Sequence, residues 1–165
     1  NVYGVSKLAG EIFIRNILEK HIIVRPSGIF GTAKKVGKEN FVDKMLRLAR
    51  EGRRLRVVND QIFSPTYALD LARKVVELLE MEKYGTYHIT NTGECSWYEL
   101  ACTALELAGV DADIEPVTSE EFGAPAKRPR YSVLAHEALK RAGLKELRHW
   151  KEALADYLKE KGELK

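Results

Sequence analysis

Short apolar segments rich in β-branched residues alternate along this chain with longer segments that have helical periodicity. The ranges 21–25, 55–58, 85–91 and 113–117 have the composition of strands. Apolar residues recur at helical spacing between these ranges and in the two segments that end the chain. This alternation is typical of α/β domains in which at least some strands are parallel, so we expect an α/β fold.

Capping signals predict where several helices begin. Asn40 is expected to cap one helix, and Thr66 is expected to start another that runs to residue 79. Ser96 is followed by Glu99 three positions later, which is the pattern of a capping box. These signals predict helices in the middle of the chain from local sequence alone.

Tyr3 and Lys7 lie four positions apart in an opening segment that we predict to be helical to about residue 19. A four-residue step places both side chains on the same face of a helix. An ammonium group beside a phenol favours the phenolate and lowers the pKa of the hydroxyl, which makes Tyr3 a candidate proton donor. The same spacing occurs in ordinary helices, so the pair alone leaves both interpretations open.

The composition limits the class of protein. The chain has 165 residues, 45% of them hydrophobic and 31% charged, which is typical of one globular domain rather than a disordered segment. Its net charge of +3 indicates no particular partner. No apolar run approaches the ~20 residues that a membrane span requires, so we expect no membrane association.

The cysteines and histidines indicate neither a disulfide nor a metal site. Cys95 and Cys102 are seven positions apart, and we expect both on one face of a helix as small core residues. Unpaired cysteines of this kind are typical of a reduced protein in the cytoplasm. The four histidines lack the spacing of metal ligands, so no bound metal is predicted.

The opening segment resembles the active-site helix of the extended short-chain dehydrogenases/reductases. Within them, Asn-Val-Tyr-Gly-Val-Ser-Lys-Leu-Ala-Gly-Glu at residues 1–11 is most similar to the dTDP-4-dehydrorhamnose reductase family. Further stretches match that family at residues 25–31, 57–61, 64–67, 70–72, 91–99 and 126–134. Agreement of several unlike residues makes these matches more specific than the Tyr-x-x-x-Lys pattern.

The resemblance implies that the complete enzyme uses NADPH, or NADH, to reduce the 4-keto group of a dTDP-linked 6-deoxy sugar. The family reaction converts dTDP-4-dehydrorhamnose to dTDP-L-rhamnose. In that family the tyrosine protonates the carbonyl oxygen, and the lysine binds the nicotinamide ribose and depresses the tyrosine pKa. These roles fall on Tyr3 and Lys7.

The resemblance also implies the remaining site residues. The backbone of Pro26 and Ser27 is expected to pass against the nicotinamide. Asn40, Gln61 and Arg128 are expected on the nucleotide-sugar side, with Arg128 as a phosphate contact, since the planar guanidinium suits phosphate. Trp97 is interpreted as a packing residue.

The resemblance further implies a domain arrangement and a partner. Residues 1–31 would end a Rossmann-type NAD(P)-binding domain, and residues 32–165 would hold the small substrate-binding lobe with the remaining Rossmann elements. In the family about half of the protein, including the Gly-rich dinucleotide loop, precedes the tyrosine, so we expect this chain to be the C-terminal portion. The apolar opening helix is expected to pair with a second copy in a homodimer.

One position departs from the family pattern. The better-known reductases have Ser-Trp where this chain has Ser27-Gly28, and in them the tryptophan packs on the sugar. The departure leaves the identity of the sugar undetermined, so the chain could also belong to another nucleotide-sugar reductase or to an epimerase.

Two alternatives from other classes remain. Reductase-like folds also serve as non-catalytic regulatory subunits, as in methionine adenosyltransferase. A nucleic-acid module would use basic residues on its surface, namely Lys34, Lys35, Lys38, Arg53, Arg54 and the range 127–130. We expect no nucleic-acid partner, because a strand precedes the glycine-containing loop at 28–31.

Overall fold

The computed structural model describes residues 1–32 and 39–164. Lys34, Lys35 and Lys38 of the nucleic-acid alternative therefore lie outside the described residues. The helices of the described part are α1 (Val2–Ile17), α2 (Phe41–Arg50), α3 (Ala68–Glu80), α4 (Trp97–Ala108), α5 (Ser119–Phe122), α6 (Glu137–Arg141) and α7 (Trp150–Glu160).

The strands are short and pair mostly in parallel. They are β1 (Ile22–Arg25), β2 (Ile29–Phe30), β3 (Leu55–Val58), β4 (Ile62–Phe63), β5 (Thr66–Tyr67), β6 (Gly85–His88), β7 (Asn91–Thr92), β8 (Cys95–Ser96), β9 (Ile114–Val117) and β10 (Leu147–His149). Parallel pairs join β1 to β6, β2 to β5, β3 to β9 and β7 to β10, whereas β4 and β8 are antiparallel. The predicted α/β class is confirmed.

Local caps set the starts of the helices around the site, as the sequence predicts. The Asn40 side chain accepts a hydrogen bond from the Asp43 amide at 3.0 Å and caps α2. Ser96 and Glu99 form the predicted capping box at the start of α4. Each cap satisfies an amide that the first helical turn leaves without a partner.

Two sequence predictions about element type were wrong. Thr66 belongs to strand β5 and α3 begins at Ala68, because the Thr66 hydroxyl and amide bond to the backbone of residues 27 and 28. Cys95 lies in β8 before α4 begins, so it does not share a helix with Cys102. It is nevertheless buried, and burial raises the pKa of its thiol to about 12. Such a thiol stays protonated and unreactive.

Two groups of buried side chains form the interior. The larger one packs α2, α4 and α7 around β3 and includes Phe30 and Tyr67. The smaller one packs α3, α6 and β6 together and is covered by Ile22 and Val24 of β1. The division of the chain at residue 31 stays a prediction.

Helix α1 is the exception to this packing, since none of its residues is buried. It joins the remaining structure through Glu11, whose carboxylate accepts hydrogen bonds from the Arg25 guanidinium at 2.7 and 2.5 Å. This contact and the Arg15 guanidinium lower the pKa of Glu11. Among the described residues, no helix is both long and apolar enough to cross a membrane.

Candidate active site

Tyr3 and Lys7 project together from the first turns of α1. The Lys7 ammonium lies 5.5 Å from the centroid of the Tyr3 ring, and the Tyr3 side chain is 72% exposed. The helix begins at residue 2 because the Asn1 side chain accepts a hydrogen bond from the Gly4 amide at 2.7 Å. The predicted pair therefore exists as a phenol and an ammonium on one open helix face.

The loop after β1 is held by two hydrogen bonds from β5. The Thr66 hydroxyl donates to the Ser27 carbonyl at 2.5 Å, and the Thr66 amide donates to the Gly28 carbonyl at 3.1 Å. Gly28 has a φ of +49°, and a Cβ there would lie 2.2 Å from the Phe63 ring. A larger residue at 28 thus requires Phe63 to move.

Two adjoining clefts open beside this loop. A smaller one of about 320 Å³ includes Ser27 and Gly28 in its lining, and a larger one of about 450 Å³ extends along α2 and β3. Gln61, Trp97 and Arg128 line both clefts. Two of the three predicted nucleotide-sugar residues, Gln61 and Arg128, are therefore brought to the junction of the clefts.

The larger cleft combines an apolar floor with basic residues. Leu55, Val57 and Met45 contribute apolar surface, and cationic side chains line the same cleft, namely Lys44, Arg54, Arg56 and Arg128. The Arg54 guanidinium already forms ion pairs, since its Nη2 lies 3.0 Å from Glu115 Oε2 and its Nε lies 3.5 Å from Asp113 Oδ2. A cleft of this composition suits an anionic ligand with an apolar or aromatic part.

Gln61 is buried and tightly held. Its Nε2 donates to the Ser119 hydroxyl at 2.8 Å, and that hydroxyl lies 2.6 Å from Asp60 Oδ1. The Ser119 amide also donates to Asp60 Oδ1 at 2.9 Å. The hydrogen bonds from Ser119 lower the pKa of Asp60.

Asn40 is engaged within the protein. Besides capping α2, its Nδ2 donates to the Gly31 carbonyl at 3.1 Å and to the Tyr157 hydroxyl at 2.8 Å. The amide thus connects the chain before the larger cleft to α7. Asn40 is not among the residues that line either cleft.

Trp97 is a cleft residue for which the sequence favoured packing over contact with a ligand. It does pack, since its ring stacks on Phe63 at 4.1 Å and meets the edge of Phe41 at 4.8 Å. It is also partly exposed and lines both clefts. Its position directly after the Ser96 cap was the available signal, because the first residue of α4 lies where the chain passes from β8 into the helix.

The chain resembles known proteins along nearly its whole length. The family model described as "RmlD substrate binding domain" matches residues 1–162. A spore coat polysaccharide biosynthesis protein of Bacillus subtilis is 46% identical over 97% of this chain and 54% of its own length. A dTDP-4-dehydrorhamnose reductase of Streptomyces griseus is 41% identical over 94% of this chain and 52% of its own.

A solved structure matches the fold closely. The dTDP-4-dehydrorhamnose reductase of Bacillus anthracis, in complex with NADP, superposes with a TM-score of 0.92 at 42% identity. The match covers 97% of this chain and 56% of that protein. The chain therefore spans about half the length of the relatives it matches. Because the family model matches residues 1–162 of 165, the chain belongs to the RmlD substrate binding domain family.

Proposed function

We propose that the full protein containing this chain reduces the 4-keto group of a dTDP-linked 6-deoxy sugar with NADPH. The observation that carries the proposal is the pair of adjoining clefts, which extends from the Ser27 loop to a basic, partly apolar surface and has Gln61 and Arg128 at its junction. Identities of 41% and 42% to proteins named as dTDP-4-dehydrorhamnose reductases support the same reaction.

Tyr3 and Lys7 carry the proton transfer and part of the cofactor binding. The Tyr3 hydroxyl donates a proton to the oxygen that develops at the sugar C4. The Lys7 ammonium supplies the hydrogen-bond donors that the hydroxyls of a nicotinamide ribose can accept. NADPH, when bound, supplies the hydride. The exposure of both side chains on one helix face fits a ribose in that position.

The Pro26-Ser27 backbone forms the wall against which the nicotinamide packs. The Ser27 carbonyl accepts a hydrogen bond from the Thr66 hydroxyl, which holds this wall in position where the smaller cleft opens. In this proposal the sugar occupies the smaller cleft. The nucleotide and diphosphate extend into the larger one, toward the basic side chains.

The aromatic surface beside the sugar comes from a different place than in the better-known reductases. Gly28 has no side chain to pack on the sugar, and Phe63 fills the adjacent space with Trp97 stacked on it. We assign the contact with the sugar to Trp97. Asn40 acts indirectly in this proposal, through the loop end that it holds at Gly31.

Replacement of Tyr3 by phenylalanine tests the reaction. In the full protein, Tyr3→Phe should lower the rate of NADPH-dependent reduction by roughly 100- to 10,000-fold, since it removes only the proton donor. NADPH affinity, measured by calorimetry, should remain near wild type. Lys7→Met should also lower the affinity for NADPH, because in this proposal Lys7 both binds the ribose and assists the proton donor.

Tyr84→Phe is a matched control for this test. Lys20 lies 5.6 Å from the Tyr84 ring centroid, so the control removes a hydroxyl from a similar tyrosine–lysine pair elsewhere. Near-normal turnover of Tyr3→Phe would contradict the proton-donor role of Tyr3. Absence of turnover in the wild-type protein would favour a non-catalytic binding subunit.

We infer a second partner from α1. Its apolar side chains are exposed, among them Phe13 at 66% and Ile17 at 75%. Exposed apolar patches of this kind are typical of interfaces. In this proposal the opening helix pairs with the same helix of a second copy, forming a homodimer.

A further inference from the structure

Gln61 lies where the two clefts meet, and the direction of its amide decides what it can recognise. A glutamine side chain carries an acceptor oxygen and a donor nitrogen that differ little in shape. If the amide could rotate freely, the residue would accept or donate with equal ease. The neighbours of Gln61 remove that freedom.

The hydrogen bonds behind Gln61 determine the orientation of its amide. An ionised carboxylate only accepts hydrogen bonds, so the Ser119 hydroxyl, 2.6 Å from Asp60 Oδ1, donates its proton to Asp60. That hydroxyl then offers only lone pairs to Gln61. The group of Gln61 that faces it at 2.8 Å must be the donor Nε2. Hydrogen bonds from Ser119 lower the pKa of Asp60, which keeps this carboxyl ionised at neutral pH.

The backbone fixes the position of this group of residues. Asp60 and Gln61 follow β3, and Ser119 follows β9, which pairs in parallel with β3. The Asn59 amide donates to the Val117 carbonyl at 2.9 Å and extends this pairing to the two loops. The hydrogen-bonded chain therefore rests on strand pairing rather than on long flexible side chains.

We propose that Ser119 and Asp60 are positioning residues that turn the Gln61 amide oxygen toward the clefts, where it accepts a hydrogen bond from an N–H or O–H of the nucleotide sugar. The inference rests on the proposed function for the identity of the ligand. No hydrogen bond to Gln61 Oε1 from within the ranges 1–32 and 39–164 competes with that role. Ligands with only an acceptor at this point would be bound less well.

Binding of dTDP-L-rhamnose to the full protein, measured by calorimetry, tests the proposal. Ser119→Ala removes the acceptor behind Gln61, so its amide can turn. Affinity should fall about three- to tenfold, the range of one net hydrogen bond. Ser119→Thr retains the hydroxyl and should bind nearly as wild type. In steady-state reduction, KM should rise while kcat changes less.

Thr118→Ala is the matched control, since Thr118 is adjacent and its hydroxyl serves only the cap of α5. It should leave the affinity unchanged. Combination with Gln61→Ala separates positioning from general damage. Ser119→Ala should add no further loss in the Gln61→Ala background, and an equal loss in both backgrounds would overturn the proposal.

A second measurement does not depend on the ligand. The side-chain amide signals of Gln61 can be identified in a ¹⁵N-labelled NMR spectrum by their absence in Gln61→Ala. They should shift in Ser119→Ala and remain in place in Thr118→Ala. Unchanged signals in Ser119→Ala would refute the positioning role. If the wild-type full protein does not reduce the nucleotide sugar although the Gln61 signals shift in Ser119→Ala, the result counts against the proposed reaction. It does not count against the positioning role.

Discussion

At the residue scale, Arg128 is the exposed cation shared by both clefts. The range 121–130 around it is exposed throughout, so its guanidinium is accessible to a ligand. A planar fork of donors at the junction of the clefts suits a diphosphate. Its neighbour Lys127 carries the same charge but lines neither cleft.

Arg128→Ala should therefore raise the apparent KM for the nucleotide sugar about tenfold in the full protein. This corresponds to about 1.5 kcal/mol, the lower end for a hydrogen bond to a charged group, because the site is open to solvent. Lys127→Ala should leave KM within about twofold, as expected for a surface charge. Equal effects of the two variants in initial-rate assays would mean that the loop acts only as a basic surface.

At the element scale, the start of α4 connects packing to the site. Ser96 caps the helix by accepting from the Glu99 amide at 3.0 Å, and its hydroxyl also donates to Asn59 Oδ1 at 2.7 Å. The first residue of the helix is Trp97, so the cap sets the position of the cleft's aromatic wall. Ser96 is fully buried, whereas Thr118, which caps α5 with the same motif, is exposed.

Ser96→Ala should lower the free energy of unfolding by about 1–3 kcal/mol, because it removes both a helix cap and the hydrogen bond from the buried Ser96 hydroxyl to Asn59 Oδ1. Thr118→Ala removes a cap at the surface, so its free energy of unfolding should fall by only about 0.5–1 kcal/mol. Urea unfolding of the full protein measures both. A Thr118→Ala effect as large as that of Ser96→Ala would show that the additional hydrogen bond to Asn59 contributes little.

At the scale of the whole molecule, α1 presents Tyr3 and Lys7 from a helix that no other part of the described residues buries. The two interior groups contain no α1 residue, and the direct tie through Glu11 and Arg25 is polar. The position of Tyr3 and Lys7 relative to the clefts therefore depends on whatever covers the apolar residues of this helix. A second copy of the protein is the occupant that we propose.

Light scattering after size-exclusion chromatography tests this arrangement. The full protein should elute as a dimer, and combining Phe13→Glu with Ile17→Glu should shift it to a monomer, since charges in an apolar interface lose solvation. Val76→Glu, at an equally apolar position that is 50% exposed on α3, should leave the dimer intact. A wild-type protein that remains monomeric at tens of micromolar would exclude pairing through α1.

Interactions between residues close in the chain were determined by the sequence itself. The caps at Asn40 and Ser96 each join residues three positions apart, so local composition was sufficient to predict them. Tyr3 and Lys7 share a helix face for the same reason, since one helical turn spans about four residues. The alternation of strands and helices likewise predicted the α/β class.

Tertiary structure alone decided what meets at the junction of the clefts. Gln61 and Ser119 are 58 positions apart and meet only because β3 and β9 pair in parallel. Thr66 lies in a strand instead of a helix because its hydroxyl and amide donate hydrogen bonds to the backbone carbonyls of Ser27 and Gly28. Which strands become neighbours depends on burial summed over the whole interior, and no local pattern carries that information.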